Sequence, residues 1–193
     1  MTRIQCSGMG TDKEDWEAYL ELSSGRHGAT VIQPRRGSQQ KFYNVSADGS
    51  AGGDGLTVLS PSDSFHATCR ESEDTNNSSY VLYYRSQDIS VILGGDAEDA
   101  AWEEMYGLYK DTFFPKCNVL KASHHGRDSG YHQKSVKAMS PEYTIVSAGK
   151  KPDTEVCEKY AQYSQNVWTT RWNGNIHLEI RNGEATITKD RDA

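Results

Sequence analysis

Two stretches decide the reading of this chain: Ile89-Ser-Val-Ile-Leu-Gly-Gly-Asp96 and Val119-Leu-Lys-Ala-Ser-His-His-Gly126. Each is a short apolar run, the signature of a buried strand, and each stops at residues that turn the backbone and carry chemistry. Between them, Ala97 to Lys110 places Trp102, Met105, Tyr106 and Tyr109 at helical spacing. The result is strand, helix, strand, with a carboxylate following the first strand and two imidazoles following the second.

Upstream, Ser79 to Arg85 pairs with Ile89 to Leu93 as a predicted hairpin through Ser86-Gln87-Asp88. Leu56 to Leu59 is a further strand, and Ser62 to Asn77 reads as a polar surface loop. Arg35 to Gly55 reads as a loop around a weak strand at Phe42 to Val45, and Ala29 to Ile32 as a short strand before Pro34. Thr11-Asp12-Lys13-Glu14 has the form of a capping box, predicting a helix from Asp12 to Leu22 that buries Trp16, Tyr19 and Leu20. Downstream, the expected elements are a strand over Cys117 to Ala122, a helix over His132 to Met139 and a strand over Tyr143 to Ser147. A helix over Asp153 to Tyr163, a strand over Asn166 to Thr169 and a closing hairpin through Asn182-Gly183 follow. The alternation predicts a mixed α/β (α+β) fold with helices packed outside mixed sheets. It also divides the chain into an irregular part, residues 1–54, and a regular one, residues 55–193.

Composition bounds the function. With 193 residues, 25% charged, 35% hydrophobic and a formal net charge of -6, the chain can bury a core and has no global basic surface for nucleic acid. No stretch approaches the ~20 apolar residues of a membrane span, and residues 1–10 lack the apolar run of a signal peptide. The four cysteines are scattered without a C-x-x-C pair, and Cys117 and Cys157 read as small buried hydrophobes. A reducing, cytoplasmic setting is the expectation.

A carboxylate fixed by a strand end and opened by glycines is well placed to hold a metal, so Asp96 is a candidate ligand. Read alone, it is equally an N-cap for the helix beginning at Ala97. His124 and His125 bring the commonest nitrogen ligand for zinc. Adjacent side chains diverge, so one of the two is expected to bind and the other to orient or pack. Lys121, Arg127, Lys150 and Lys151 are near enough in sequence to meet phosphate. His27, His66, His132 and His177 read as surface or strand positions. The chain contains no H-E-x-x-H, G-x-S-x-G, P-loop or dinucleotide-binding glycine pattern.

The combined order resembles the metallo-β-lactamase superfamily, in particular the hydrolase domain of bacterial DNA-uptake (competence) channel proteins. It rests on Asn77-Ser-Ser-Tyr-Val-Leu82, Gly95-Asp96, the Trp102 helix, Val119 to Gly126, Ser140-Pro141, Ile145-Val-Ser-Ala-Gly149, Thr169-Thr170 and Gly174. The resemblance covers about residues 55 to 182, the C-terminal half of such a domain. It implies an αββα sandwich with two divalent metal ions, zinc or manganese, at one sheet edge. Asp96 would bridge the metals, one of His124 and His125 would be a terminal ligand, and Lys121, Arg127 and Ser147 would support the site or face substrate.

The family's H-x-H-x-D-H loop, source of most metal ligands, does not occur in this sequence. A catalytic zinc needs about three protein ligands, so the ligand set is incomplete. Three readings follow: one part of a split enzyme, a fragment, or a non-catalytic binding or scaffold relative. The first two make this chain part of a metal-dependent phosphodiesterase or nuclease. A second polypeptide, or an absent N-terminal segment, would then carry the H-x-H-x-D-H half, and the substrate would be a nucleic acid or nucleotide.

Overall fold

The computed structural model describes residues 13–25, 28, 30–38 and 53–192. The capping-box threonine, Ala29, His27 and the weak strand at 42–45 lie outside them. The chain divides into two compact units, Met1–Pro34 and Arg35–Ala193. The first contains helix α1 (Lys13–Ser23). Tyr19 and Leu20, expected to be buried, are exposed. Thr30 to Ile32 form no strand.

The second unit follows in the order β1 (Leu56–Ser60), α2 (Asp63–Glu71), β2 (Val81–Ser86), β3 (Ile89–Leu93), α3 (Asp99–Tyr109), β4 (Val119–Lys121), α4 (Gln133–Met139), β5 (Tyr143–Val146), α5 (Cys157–Tyr160), β6 (Asn166–Thr169), α6 (Thr170–Asn173), β7 (Ile176–Arg181) and β8 (Glu184–Lys189). Strands β1 to β6 make one sheet in sequence order, and β7 and β8 make a second. The first two pairings are antiparallel: β1 and β2 are joined through α2, and β2 and β3 by a tight hairpin. The pairings β3–β4, β4–β5 and β5–β6 are parallel. The sequence expectation of a mixed α/β fold therefore holds.

Three successive crossovers advance in one direction across the sheet. Crossovers of this kind are right-handed, so α3, α4 and α5 fall on one face. That face is the core: Val81, Tyr83, Ile92, Leu120 and Val146 from the sheet meet Trp102, Met105, Val136, Met139 and Tyr160 from the helices, all nearly inaccessible to solvent. The pleat turns the alternate residues to the opposite face. Register aligns Leu82, Leu93, Lys121, Ile145 and Trp168 in one row across five strands of that face. The row is only partly covered, and Leu93 is 38% exposed. The β7–β8 hairpin lies across this face: Lys189 Nζ sits 4.8 Å over the Trp168 ring on β6, and the hairpin tip at Gly183 abuts the Gln87 side chain at the β2–β3 turn. The layers are thus helices, a six-stranded sheet and a two-stranded sheet, an arrangement compatible with an α/β sandwich. Among the described residues, no helix is long and apolar enough to cross a membrane.

Three local expectations change. The segment read as a polar loop, Ser62 to Asn77, holds helix α2, capped by Ser62 Oγ accepting from Phe65 N at 3.1 Å. The helix expected from Asp153 to Tyr163 shortens to the single turn of α5, because 149–156 is pinned instead to the His-His-Gly turn: Val156 N donates to Gly126 O and Asp128 N to Thr154 O. Asp96 does not cap α3, which begins at Asp99 with Glu98 in the cap position.

Candidate metal centre

Parallel strands align their carboxyl ends, and ligand sites form in the crevice beyond such ends. Here that edge carries Asp96 after β3, His124 and His125 after β4, Ser147 after β5 and α6 after β6. Two grooves, lined in part by Tyr83, Arg85 and Lys116, lie at the opposite, amino end of the parallel strands and include none of these residues. The candidate centre is an open edge rather than a closed pocket.

The two loops are locked together. Gly94 packs so closely on Ser123 that a Cβ there would collide with Ser123 Oγ. Ser123 Oγ donates to Gly94 O at 3.0 Å and accepts from the buried Trp102 indole N–H at 3.1 Å. His124 N donates to Gly95 O at 3.0 Å. The backbone then passes through three consecutive left-handed residues, His124 (φ 45°), His125 (φ 57°) and Gly126 (φ 75°). For non-glycine residues this conformation costs roughly 1–2 kcal/mol each. At Gly126 a Cβ would also lie 2.7 Å from Val146 Cγ1. Such strain persists only where surrounding contacts impose it, and it concentrates at functional positions.

The turn separates the two histidines. His124 Nδ1 donates to Glu98 Oε1 at 2.8 Å, with Ser129 Oγ 3.0 Å away. Its Nδ1 faces the start of α3. His125 Nδ1 lies 2.8 Å from the Ser147 carbonyl oxygen. A carbonyl only accepts, so Nδ1 carries the proton, and in the neutral ring Nε2 holds a lone pair. That Nε2 stands 3.8 Å from Asp96 Oδ1. Both side chains are near half exposed.

The remaining residues singled out in the sequence fall around this pair. Lys121 is half-buried on the second sheet face, where burial lowers its pKa and the Asp96 charge partly opposes that fall. Arg127 is exposed, while its backbone bridges Glu155. Ser147 enters through its carbonyl. His132, read as a surface position, is 6% exposed. Its Nε2 bonds Glu103 Oε2 at 2.8 Å and its Nδ1 bonds Ser135 Oγ at 2.7 Å, capping α4. This Ser–His–Glu order has the look of a nucleophile relay, but Ser135 is wholly inaccessible, so the contact serves the helix cap. His66, in α2, is half-buried against Ser78 Oγ at 2.6 Å. Cys117 is buried as expected and Cys157 is partly buried. Sequence reasoning missed Glu98, Glu155 and Arg171, whose partners are remote in the chain.

Tested as a metal site, the donors fit in part. Ligands at about 2.0–2.2 Å from one tetrahedral ion lie about 3.3 Å apart, and Asp96 Oδ1 and His125 Nε2 are within a small side-chain adjustment of that. Among the described residues, however, no three His, Cys, Asp or Glu side chains converge in a way that could hold a metal. The pair does not by itself make a metal centre.

No family model matches the chain. ComE operon protein 3 of Bacillus subtilis (strain 168) is 30% identical to it over 132 residues, which cover 64% of this chain. The matched region amounts to only 17% of that relative's length.

Proposed function

We propose that this chain supplies Asp96 and His125 to a metal-dependent hydrolase site whose remaining donors come from another polypeptide or segment carrying the H-x-H-x-D-H half of the fold, and that the assembled site cleaves phosphodiesters. The reading rests on one observation above all. A carboxylate oxygen and an imidazole lone pair, both acceptors, face each other at 3.8 Å on a rigid sheet edge. Two acceptors in that geometry can share a cation. The partly covered apolar row with Leu93 supports a further covering segment. The partial similarity to ComE operon protein 3 supports a competence-related relationship.

In this reading Asp96 holds zinc or manganese, and the Ser147 carbonyl fixes the His125 tautomer and ring direction. His124 serves as a brace to Glu98 rather than as a ligand. Lys121 and Arg127 offer positive charge to a phosphate group. Two bound divalent ions would supply a nucleophile at neutral pH and neutralise charge on phosphoryl oxygens.

The test is co-purification of the chain with a polypeptide bearing the H-x-H-x-D-H loop. Metal content and hydrolysis of bis(p-nitrophenyl) phosphate are then measured. Stoichiometric metal that is lost with Asp96→Ala and His125→Ala, with assembly intact, is the expected result. An assembled complex that holds no metal would overturn the proposal. The donor count among the described residues supports a second reading, a non-catalytic scaffold of the same fold, in which neither substitution changes any property of the complex.

A further inference from the structure

The connection from α3 to β4 crosses the amino end of the parallel strands and leaves a groove of about 440 Å³ against β1 and β2. A second groove of about 480 Å³ adjoins it, and Tyr83, Arg85 and Lys116 line both, so the two cations border one continuous space. Both positions are anchored. Arg85 Nε donates to Gln87 O at 2.6 Å, which fixes the guanidinium along the β2–β3 turn. The Lys116 backbone is held on both sides: its N–H donates to Phe113 O at 3.2 Å, and its carbonyl accepts from the buried Ser90 Oγ. The floor of the first groove is aromatic, since Tyr83 and Phe113 meet edge to face with ring centroids 4.7 Å apart. Thr57 and Thr112 add hydroxyls to its walls, and among the described residues neither hydroxyl makes a hydrogen bond.

The charge in this space is positive. No carboxylate lines the first groove, in a chain whose formal net charge is -6. Asp54 is next to the lining in sequence, and its Oδ1 is taken by Leu56 N at 3.0 Å. The second groove includes Asp88 and Glu142. Asp88 Oδ1 stands 3.8 Å from an Arg85 Nη, but the Asp88 side chain is 97% exposed, so the pair is weak and the other guanidinium N–H groups stay available. Lys116 is exposed and, among the described residues, makes no ion pair. A guanidinium and an ammonium bordering one space suit a doubly charged phosphate group, the first through its paired N–H donors and the second as a point charge. The threonine hydroxyls supply further donors, and the aromatic floor beside them suits a ligand with a flat apolar part.

We infer that this groove is a binding site for a small organic phosphate monoester, with the phosphate between Arg85 and Lys116 and a flat ring seated on Tyr83 and Phe113. The site lies at the end of the sheet opposite Asp96 and His125. The five residues of β3 alone put about 16 Å between the two ends. The site is therefore separate from the candidate metal centre, and the binding it describes needs no metal and does not rest on the hydrolase reading.

The test is an amide NMR titration of the full chain in EDTA with phenyl phosphate, inorganic phosphate and phenol. Phenyl phosphate should bind about tenfold more tightly than either of the other two, with its largest shifts at Thr112, Phe113 and Lys116. Arg85→Gln and Lys116→Gln should each weaken it about tenfold, and both side chains are exposed enough for the fold to tolerate the change. Lys150→Gln, which removes a cation at the other end of the sheet, should leave the binding unchanged and so excludes general attraction of anions. No saturable binding of phenyl phosphate below ~10 mM, shifts that map away from the groove, an affinity no better than that of inorganic phosphate, or binding that Arg85→Gln and Lys116→Gln leave intact would overturn the inference. Metal content and hydrolysis in the assembled complex, the readouts of the hydrolase proposal, are untouched by either result.

Discussion

Ser123 Oγ stands between Trp102 and Gly94, accepting the buried indole N–H at 3.1 Å and donating to the glycine carbonyl at 3.0 Å. One hydroxyl thereby joins α3 to the ends of β3 and β4 and sets the spacing of the loops that carry Asp96 and His125. Ser123→Ala leaves the indole N–H buried without a partner and should cost about 1–3 kcal/mol. Gly94→Ala forces a Cβ against Ser123 Oγ and should cost about 1–3 kcal/mol through overpacking. The double variant should lose less than the sum of the two, because the first change removes part of the obstacle met by the second. Urea unfolding of the four proteins measures the coupling, and strict additivity would contradict it.

Asn77 caps α3 from outside the helix. Its Oδ1 accepts from Glu98 N at 3.1 Å and from Ala101 N at 3.0 Å, while Nδ2 donates to Asp74 Oδ2 at 2.7 Å. Glu98, in the cap position, makes no such bond with its own side chain. Asn77→Ala should lower stability by about 1–2 kcal/mol, and Asn77→Asp should also destabilise despite keeping an acceptor for α3, because its carboxylate meets Asp74 where the amide donated. Thermal melts of the three proteins decide this.

Glu155 and Arg171 form the buried ion pair that ties 149–156 to α6. Glu155→Ala strands a buried guanidinium and should cost about 3–5 kcal/mol, whereas replacing both residues with apolar ones of similar volume should come close to neutral. A denaturant series in which the single variant is no worse than the double would contradict this.

Lys121 gives the stability a pH dependence. Burial holds its folded-state pKa below the usual lysine value, so the fold disfavours the charged form. The penalty is present in full below the folded pKa and disappears as pH rises towards the ordinary value near 10.5. Lys121→Met should therefore raise stability at neutral pH, on the order of 1 kcal/mol at most after solvent screening, and the gain should shrink as pH approaches 10. Asp96→Asn, which removes the opposing charge, should lower the lysine pKa further and enlarge the gain. Chemical unfolding at several pH values reads both effects.

The local code carried much of this fold. Apolar runs ended by Gly94-Gly95 and by Ser123, with helical spacing around Trp102, placed the strands and α3 and set Asp96 and the histidines at strand ends. The misreadings have physical causes. Helix α2 buries only Cys69 fully, so its polar sequence hid it, although Ser62 followed by Asp63 is a start signal that was there to read. His132 reads as a surface position because Glu103, the partner that its ring meets, is 29 positions away.

The sequence by itself therefore determined which residues stand at strand ends, since periodicity and turn chemistry act within a few residues. It left His124 and His125 indistinguishable as ligands. Only the tertiary structure gave the two rings different partners, because these lie on other elements: His124 Nδ1 meets Glu98 ahead of α3, and His125 Nδ1 meets the Ser147 carbonyl after β5, with its Nε2 3.8 Å from Asp96.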